Sequence, residues 1–230
     1  MIGVTGIANH LVGTFPNPGN PNSIVEHDLQ LQVPVTPKRL SEPMYFPLVW
    51  DFGIARSSTK IDPLAAEWLH DDPKSGWQYE ALSGAVALGL DANHAHVQPT
   101  GEYHYHGWPT GVLEALGAAD MQGSPLIGWA ADGYPIYTAN MTEEPLRSSY
   151  QLKSGNRDGG ADGPAGLHDG AFIQDYEYVA GLSALDECNG TNVVTQGFPQ
   201  DTYAYIITAD YPTYPHCFSG QPDKSFMKRR

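Results

Sequence analysis

Basic residues are scarce in this sequence. Only 12 Lys and Arg stand against 26 Asp and Glu, a formal net charge of −14 over 230 residues. Four of the basic residues crowd into the last seven positions, Lys224, Lys228, Arg229 and Arg230, so the body is more acidic still. Such a surface repels nucleic acid and anionic membrane and attracts cations. No apolar run approaches the roughly 20 residues of a membrane span, so no membrane insertion is expected. The opening MIGVTGIANHLVGTF has neither a charged n-region nor a long apolar h-region, and it does not read as a signal peptide. Motifs of nucleotide and acyl chemistry are missing too. There is no G-x-x-x-x-G-K-[ST], no G-x-G-x-x-G after a strand, no G-x-S-x-G and no H-E-x-x-H. The only two cysteines, Cys188 and Cys217, form no C-x-x-C, which argues against a zinc knuckle. Two is the minimum for one disulfide; a bridge and a pair of free buried thiols both remain open.

The composition itself is globular, with 41% apolar and 17% charged residues. Glycine (25) and proline (19) are abundant and follow no period, which points to many turns and short strands. The chain reads as one compact domain over 1–230, mainly β, with short helices, long Gly/Pro-rich loops and a sandwich- or barrel-like architecture. Residues 1–28 form an N-terminal arm, because GTFPNPGNPNS (13–23) is turn chemistry throughout. LQLQVPV (29–35) and AFIQDYEYVAG (171–181) alternate as strands, and MYFPLVWDFGIA (44–55) reads as buried strand interrupted at Pro47. Asp62-Pro63 before LAAEWL has the chemistry of a helix start. WQYEALSGAVALGLD (77–91) favours strands over helix because of Gly84 and Gly89. TGVLEALG (110–117) suits a short helix. SPLIGWAADGYPIYT (124–138) reads as a hairpin about Asp132-Gly133. TYAYIITADYPTYPHCFSG (202–220) starts as a strand and ends in a Pro-punctuated loop. Residues 153–170 carry six glycines and form a long Gly/Asp-rich loop.

Four of the nine histidines lie in ANHAHVQPTGEYHYHG (92–107). Pro99-Thr100-Gly101 has the chemistry of a three-residue hairpin loop, Pro opening a type I turn and Gly accepting the left-handed position. That loop sets Gln98 opposite Glu102, His96 opposite His104 and His94 opposite His106. Opposed residues share a face of a sheet, and so do residues two apart. All four imidazoles then share one face, while Ala95, Val97, Tyr103 and Tyr105 turn to a core. Cross-strand Cβ atoms stand about 5 Å apart, which lets imidazoles converge on one ion. The chemistry indicated is a transition-metal site of His94, His96, His104 and His106, with Zn or Cu as the ion. A hydrogen-bonded polar cluster without metal, or a merely solvated face, would give the same pattern.

GEYHYHGWP resembles the YHYH domain family, named for this Tyr-His-Tyr-His stretch. GTFPNPGNPN, LGLDANHAHVQPTGEYHYHG, LIGWAADGYPIY, DGAFIQDYEYVAGLSALDECNGT and YAYIITADYPTYPHCFSG are similar to further blocks of that family. The resemblance implies a single YHYH-type domain, a secreted or periplasmic setting and a suspicion of metal binding on His104 and His106, then His96 and His94. It also implies a Cys188–Cys217 disulfide. Some members carry a second such stretch near the last cysteine, where this chain has Tyr203-Ala204-Tyr205-Ile206, so any ligand from there falls to His216.

Other residues carry weaker signals. His168 and His216 are candidate outer contacts; His10, His27 and His70 stand alone. Asp132 belongs to a tight turn, yet it or Glu102 can serve as general base if the metal centre is a hydrolase. Asp158, Asp162 and Asp169 offer oxygen to Ca²⁺, at a spacing that fits no EF-hand. Asn140-Met141-Thr142 and Asn189-Gly190-Thr191 match the short glycosylation pattern. Thirteen tyrosines and five tryptophans would suit a carbohydrate- or partner-binding surface, or simply a β core. The sequence therefore indicates a metal-binding protein, with a metal-dependent hydrolase and a metal-free binding domain as alternatives.

Overall fold

The computed structural model describes residues 1–45, 48–117, 125–139, 145–160, 163–195 and 197–228. Pro47, Asn140-Met141-Thr142, Asp162, Arg229 and Arg230 lie outside them, so the calcium expectation is only partly placed, and the first glycosylation pattern and the interruption at Pro47 fall outside the described residues. The arm begins with β1 (Ile2–Val4), which pairs antiparallel with β2 (Leu29–Leu31). β3 (Arg39–Tyr45), β4 (Gly53–Ala55), β5 (Lys60–Ile61), β6 (Ala95–Val97), β7 (Tyr103–Tyr105) and helix α1 (Thr110–Ala115) follow. Then come β8 (Leu126–Ala130), β9 (Pro135–Thr138), β10 (Tyr150–Leu152), β11 (Tyr176–Tyr178), β12 (Gly190–Val193), β13 (Thr202–Ile207) and β14 (Cys217–Gly220). Eight strands make one mixed sheet in the order β12-β13-β9-β8-β4-β5-β7-β6. β5 runs parallel to β7 and β13 parallel to β9; the other neighbours are antiparallel.

The architecture is mainly β, as expected, but the described strands close no barrel: β12 and β6 are the free edges. The β3–β14 pair forms a small second layer. Phe218 of β14 stacks on Phe52 at 5.4 Å between ring centroids, and Phe52 meets Tyr205 of β13 edge-on at 5.0 Å. Ile61, Tyr105, Ile127, Ile136, Tyr205 and Ile207 complete this fully buried core. Cys188 and Cys217 form a disulfide with both residues buried, joining the turn before β12 to β14.

Three local expectations give way to tertiary contacts. Residues 64–68 make no helix. The Asp62 N–H donates to Tyr105 O at 2.9 Å, extending the β5–β7 pairing through the position read as an N-cap. Residues 77–91 make only isolated bridges, Trp68 to Gln78 and Tyr79 to Phe172, because Gly84 and Gly89 hold positive φ of 76° and 64°. The strand expected over 29–35 stops at Leu31. The loop within 153–170 is closed by a bridge between Asn156 and Leu167, and Arg157 anchors it to Asp175 and Asp169.

Candidate metal centre

The hairpin forms in the register set by its loop. Gly101 holds φ +89°, its N–H donates to Gln98 O at 2.8 Å, and the Gln98 N–H donates to Glu102 O at 2.9 Å. His96 therefore pairs with His104. Tyr103 and Tyr105 point into the core. Tyr103 OH donates to Asp91 Oδ2 at 2.6 Å, and Tyr105 OH meets Ser57 Oγ at 2.9 Å and His10 Nε2. These anchors leave the opposite face to the histidines.

Three imidazoles converge there: His96, His104 and His106, with ligand atoms all within 4.8 Å of one another. His104 Nε2 and His96 Nε2 each lie 3.0 Å from His106 Nε2. His96 Nδ1 is 2.7 Å from Leu88 O and His104 Nδ1 is 3.2 Å from Glu102 O. A carbonyl can only accept, so both Nδ1 atoms carry their protons and both Nε2 atoms present bare lone pairs. Carbonyls that fix the tautomer in this way are a recurrent support of metal-bound histidine. Around a tetrahedral Zn²⁺ with Zn–N of about 2.0–2.1 Å, ligand nitrogens stand about 3.3 Å apart, close to the two 3.0 Å separations that His106 makes. His104 and His106 are 2% and 4% exposed. Burial, then the neighbouring imidazoles, hold both well below the ordinary histidine value. Burial also lowers His96, against the pull of Leu88 O. The rings are thus neutral and ready to ligate.

His94 does not join them. It closes the turn before β6 with φ +52°, its N–H donating to Asp91 O at 3.0 Å, in a turn pinned by Asp91 Oδ1 accepting from the Asn93 N–H at 2.8 Å. Strand alternation has not yet begun at this residue. Its carbonyl accepts from the His106 N–H at 2.9 Å, so the backbone register holds, but its ring turns out to Trp108 O at 3.0 Å. The expected group of four is a group of three.

The other candidates stand elsewhere. Glu102 shares the histidine face, but Lys60 Nζ holds its Oε1 at 2.7 Å and also reaches Asp51 Oδ2 at 2.8 Å. Burial pulls Lys60 down, but the charges and hydrogen bonds of Asp51 and Glu102 together more than offset it, so its pKa is raised. Asp132 is fully buried under β14, accepting from Tyr205 OH and from the Gly220 N–H at 2.9 Å. Burial pushes it up to about 6, and it lines no part of the histidine cleft. His168 Nδ1 contacts Gly155 O at 3.0 Å. His216 packs on Tyr211 and is pushed down to about 4 by burial. Neither reaches the three histidines. Asp169 is spent on Arg157, and no acidic group that could hold a cation forms among the described residues.

A cleft of 520 Å³ opens onto the three rings. Its walls include Leu48, Leu64, Leu88 and Val97, with Asn20 and Asn22 of the arm at one side. Asp62, Glu67, Gln98 and Lys228 supply its other polar groups. Asp62 Oδ2 takes Lys228 Nζ at 2.5 Å, and burial pushes Asp62 up to about 7 against that cation. Sequence reasoning missed Asp62, whose Asp-Pro signature mimics a helix cap, and Lys228, which is remote in sequence. A larger groove of 670 Å³ holds Trp129, Tyr134, Phe198 and Tyr203. Yet the only large aromatic strongly exposed among the described residues is Tyr45, so no exposed row of rings forms.

No curated protein and no solved structure matches this chain. The sequence model of the YHYH protein family matches residues 30–220, a span that holds all three converging histidines and both cysteines. The chain belongs to the YHYH protein family.

Proposed function

We propose that this protein binds a divalent transition metal through Nε2 of His96, His104 and His106. The carrying observation is the convergence of these nitrogens, all within 4.8 Å and both His96 and His104 at 3.0 Å from His106, with those two deprotonated at Nε2 because their Nδ1 protons are committed to carbonyls. Lone pairs facing each other across a buried space repel. One hydrogen from His106 cannot satisfy two neighbours at full strength, and a cation satisfies all three. Imidazole suits Zn²⁺ and Cu²⁺ alike, and Cu²⁺ leads in intrinsic affinity. The disulfide favours an oxidising compartment, hence a secreted or periplasmic setting.

A second reading is a metal-dependent hydrolase. It is supported by the cleft over the rings and by a group that holds three ligands among the described residues, since three histidines and an open position is the pattern of catalytic zinc. Elemental analysis tests the shared premise. Tag-free protein purified without nickel or chelator is expected to carry, or to take up on titration, close to one zinc or copper per chain. A His104→Ala/His106→Ala variant should carry none. Parent protein that stays empty through both titrations refutes the metal reading.

A further inference from the structure

The cleft over the three rings holds one carboxylate that no other group neutralises among the described residues. The charged residues of its lining are Asp62, Glu67 and Lys228. Asp62 and Lys228 form an ion pair and cancel each other. Glu102, on the histidine face, is held by Lys60. The Glu67 carboxylate has no ion pair and no hydrogen bond among the described residues, although the residue is half-buried. The wall that carries it is pinned. The Glu67 carbonyl accepts from the Tyr79 N–H at 3.0 Å, and the adjacent Trp68 bridges to Gln78. Leu64, on the same stretch, is buried. The backbone is fixed while the acid stays free.

The charge of that acid reaches the site. Two carboxylates act electrostatically on His96, Glu67 before Asp91. Asp91 sits behind the hairpin, where its oxygens accept from Tyr103 OH at 2.6 Å and from the Gly13 and Asn93 N–H groups at 2.8 Å, and it lines no part of the cleft. Glu67 is therefore the cleft's own source of negative potential. It stands outside the converging group, whose ligand atoms are three imidazole nitrogens. Three neutral rings bring no charge to a divalent ion. An uncompensated cation beside the apolar walls of Leu48, Leu64, Leu88 and Val97 is costly, and a carboxylate across the cleft lowers that cost.

We propose that Glu67 is the counter-charge of the metal site: it stabilises the cation held by His96, His104 and His106 through space, without ligating it, and so sets how tightly the ion is held. This rests on the metal reading above. The test uses the full chain at pH 8, with the affinities for zinc and for copper(II) measured by competition against a chromophoric chelator. Glu67→Gln removes the charge at constant shape and should weaken binding about tenfold. Glu67→Asp keeps the charge on a shorter side chain and should weaken it about threefold or less. Glu67→Ala also removes the charge, and decides if Glu67→Gln does not fold. Glu42→Gln takes one exposed charge from β3, controls for the net charge of the chain, and should change affinity by about twofold or less. Equal affinity in the parent and the folded neutral variant, an Asp variant as weak as the neutral one, or a control as weak as either overturns this inference and leaves the metal reading standing. A parent that takes up neither ion overturns both.

Discussion

Replacing His106 by leucine separates a metal site from a structural polar cluster. His106 is buried, contacts two ring nitrogens at 3.0 Å, and its Nδ1 makes no hydrogen bond of normal geometry. If the cluster exists to hold a cation, the empty site is frustrated. An apolar side chain of similar volume removes a lone-pair conflict and gives up only a poorly formed contact of the ring with the Pro63 backbone. His106→Leu should then change stability in chelator by no more than about 1 kcal/mol. For a chain of this size that is a Tm shift within about 4 °C. Zinc at a hundredfold excess over its Kd should stabilise the parent by about 2.7 kcal/mol, or about 5–11 °C. The variant, with two ligands left, should show no such rise. If the rings instead form a satisfied hydrogen-bond network, the same change leaves buried partners stranded and costs about 1–3 kcal/mol or more. Thermal melts by circular dichroism, in chelator and in zinc, measure both quantities. A loss near 3 kcal/mol in chelator, with a parent indifferent to zinc, would refute the reasoning.

Other perturbations probe the scaffold. Gly101→Ala forces a side chain onto φ +89° with its Cβ 2.6 Å from Val25 Cβ, and should cost about 1–3 kcal/mol in chemical denaturation while loosening zinc binding. Arg157→Met leaves the carboxylate of Asp175, which is 0% exposed, without its counter-charge and with only the Gly170 and Phe172 N–H groups, and should cost about 3–5 kcal/mol in the same assay; an unchanged midpoint would show the ion pair to be dispensable. Reducing the disulfide reopens a loop of 29 residues and should lower stability by about 3–4 kcal/mol, read as the difference between melts with and without reductant. His216, pushed down to about 4 in the fold, stays neutral while the unfolded chain protonates near pH 6.5. Its contribution is full above pH 6.5 and fades as pH falls toward 4, so His216→Phe should flatten the acid limb of the stability profile.

Local chemistry made the hairpin legible. Pro99-Thr100-Gly101 dictates loop length, loop length dictates register, and register decides that His96 meets His104 while Tyr103 and Tyr105 go inward. The same argument failed at His94 because the Asp91 side chain, not the ladder, governs the backbone there. Asp62 was misread because its local signal, Asp before Pro, is that of a helix cap. Its actual setting comes from a parallel pairing of β5 with β7, whose partners lie far apart in sequence. Parallel pairing leaves no short-range trace, so neither the neighbour of Asp62 nor its ion pair with Lys228 could be read locally. Glu102 was placed on the correct face, but Lys60 reaches it through that same unreadable pairing.

β6 ends the large sheet, and an edge strand offers its outer backbone groups to any passing chain. Here the arm occupies that boundary with side chains instead of a further strand. Asn20 and Asn22 both donate to Val97 O, at 2.9 and 2.8 Å, and the Val25 N–H donates to Gly101 O at 3.0 Å. The amides saturate the acceptor without extending the ladder, so the sheet terminates chemically. Proteolytic trimming ahead of Val25 would leave the hairpin folded yet uncapped, and molecules so trimmed should join edge to edge before they unfold.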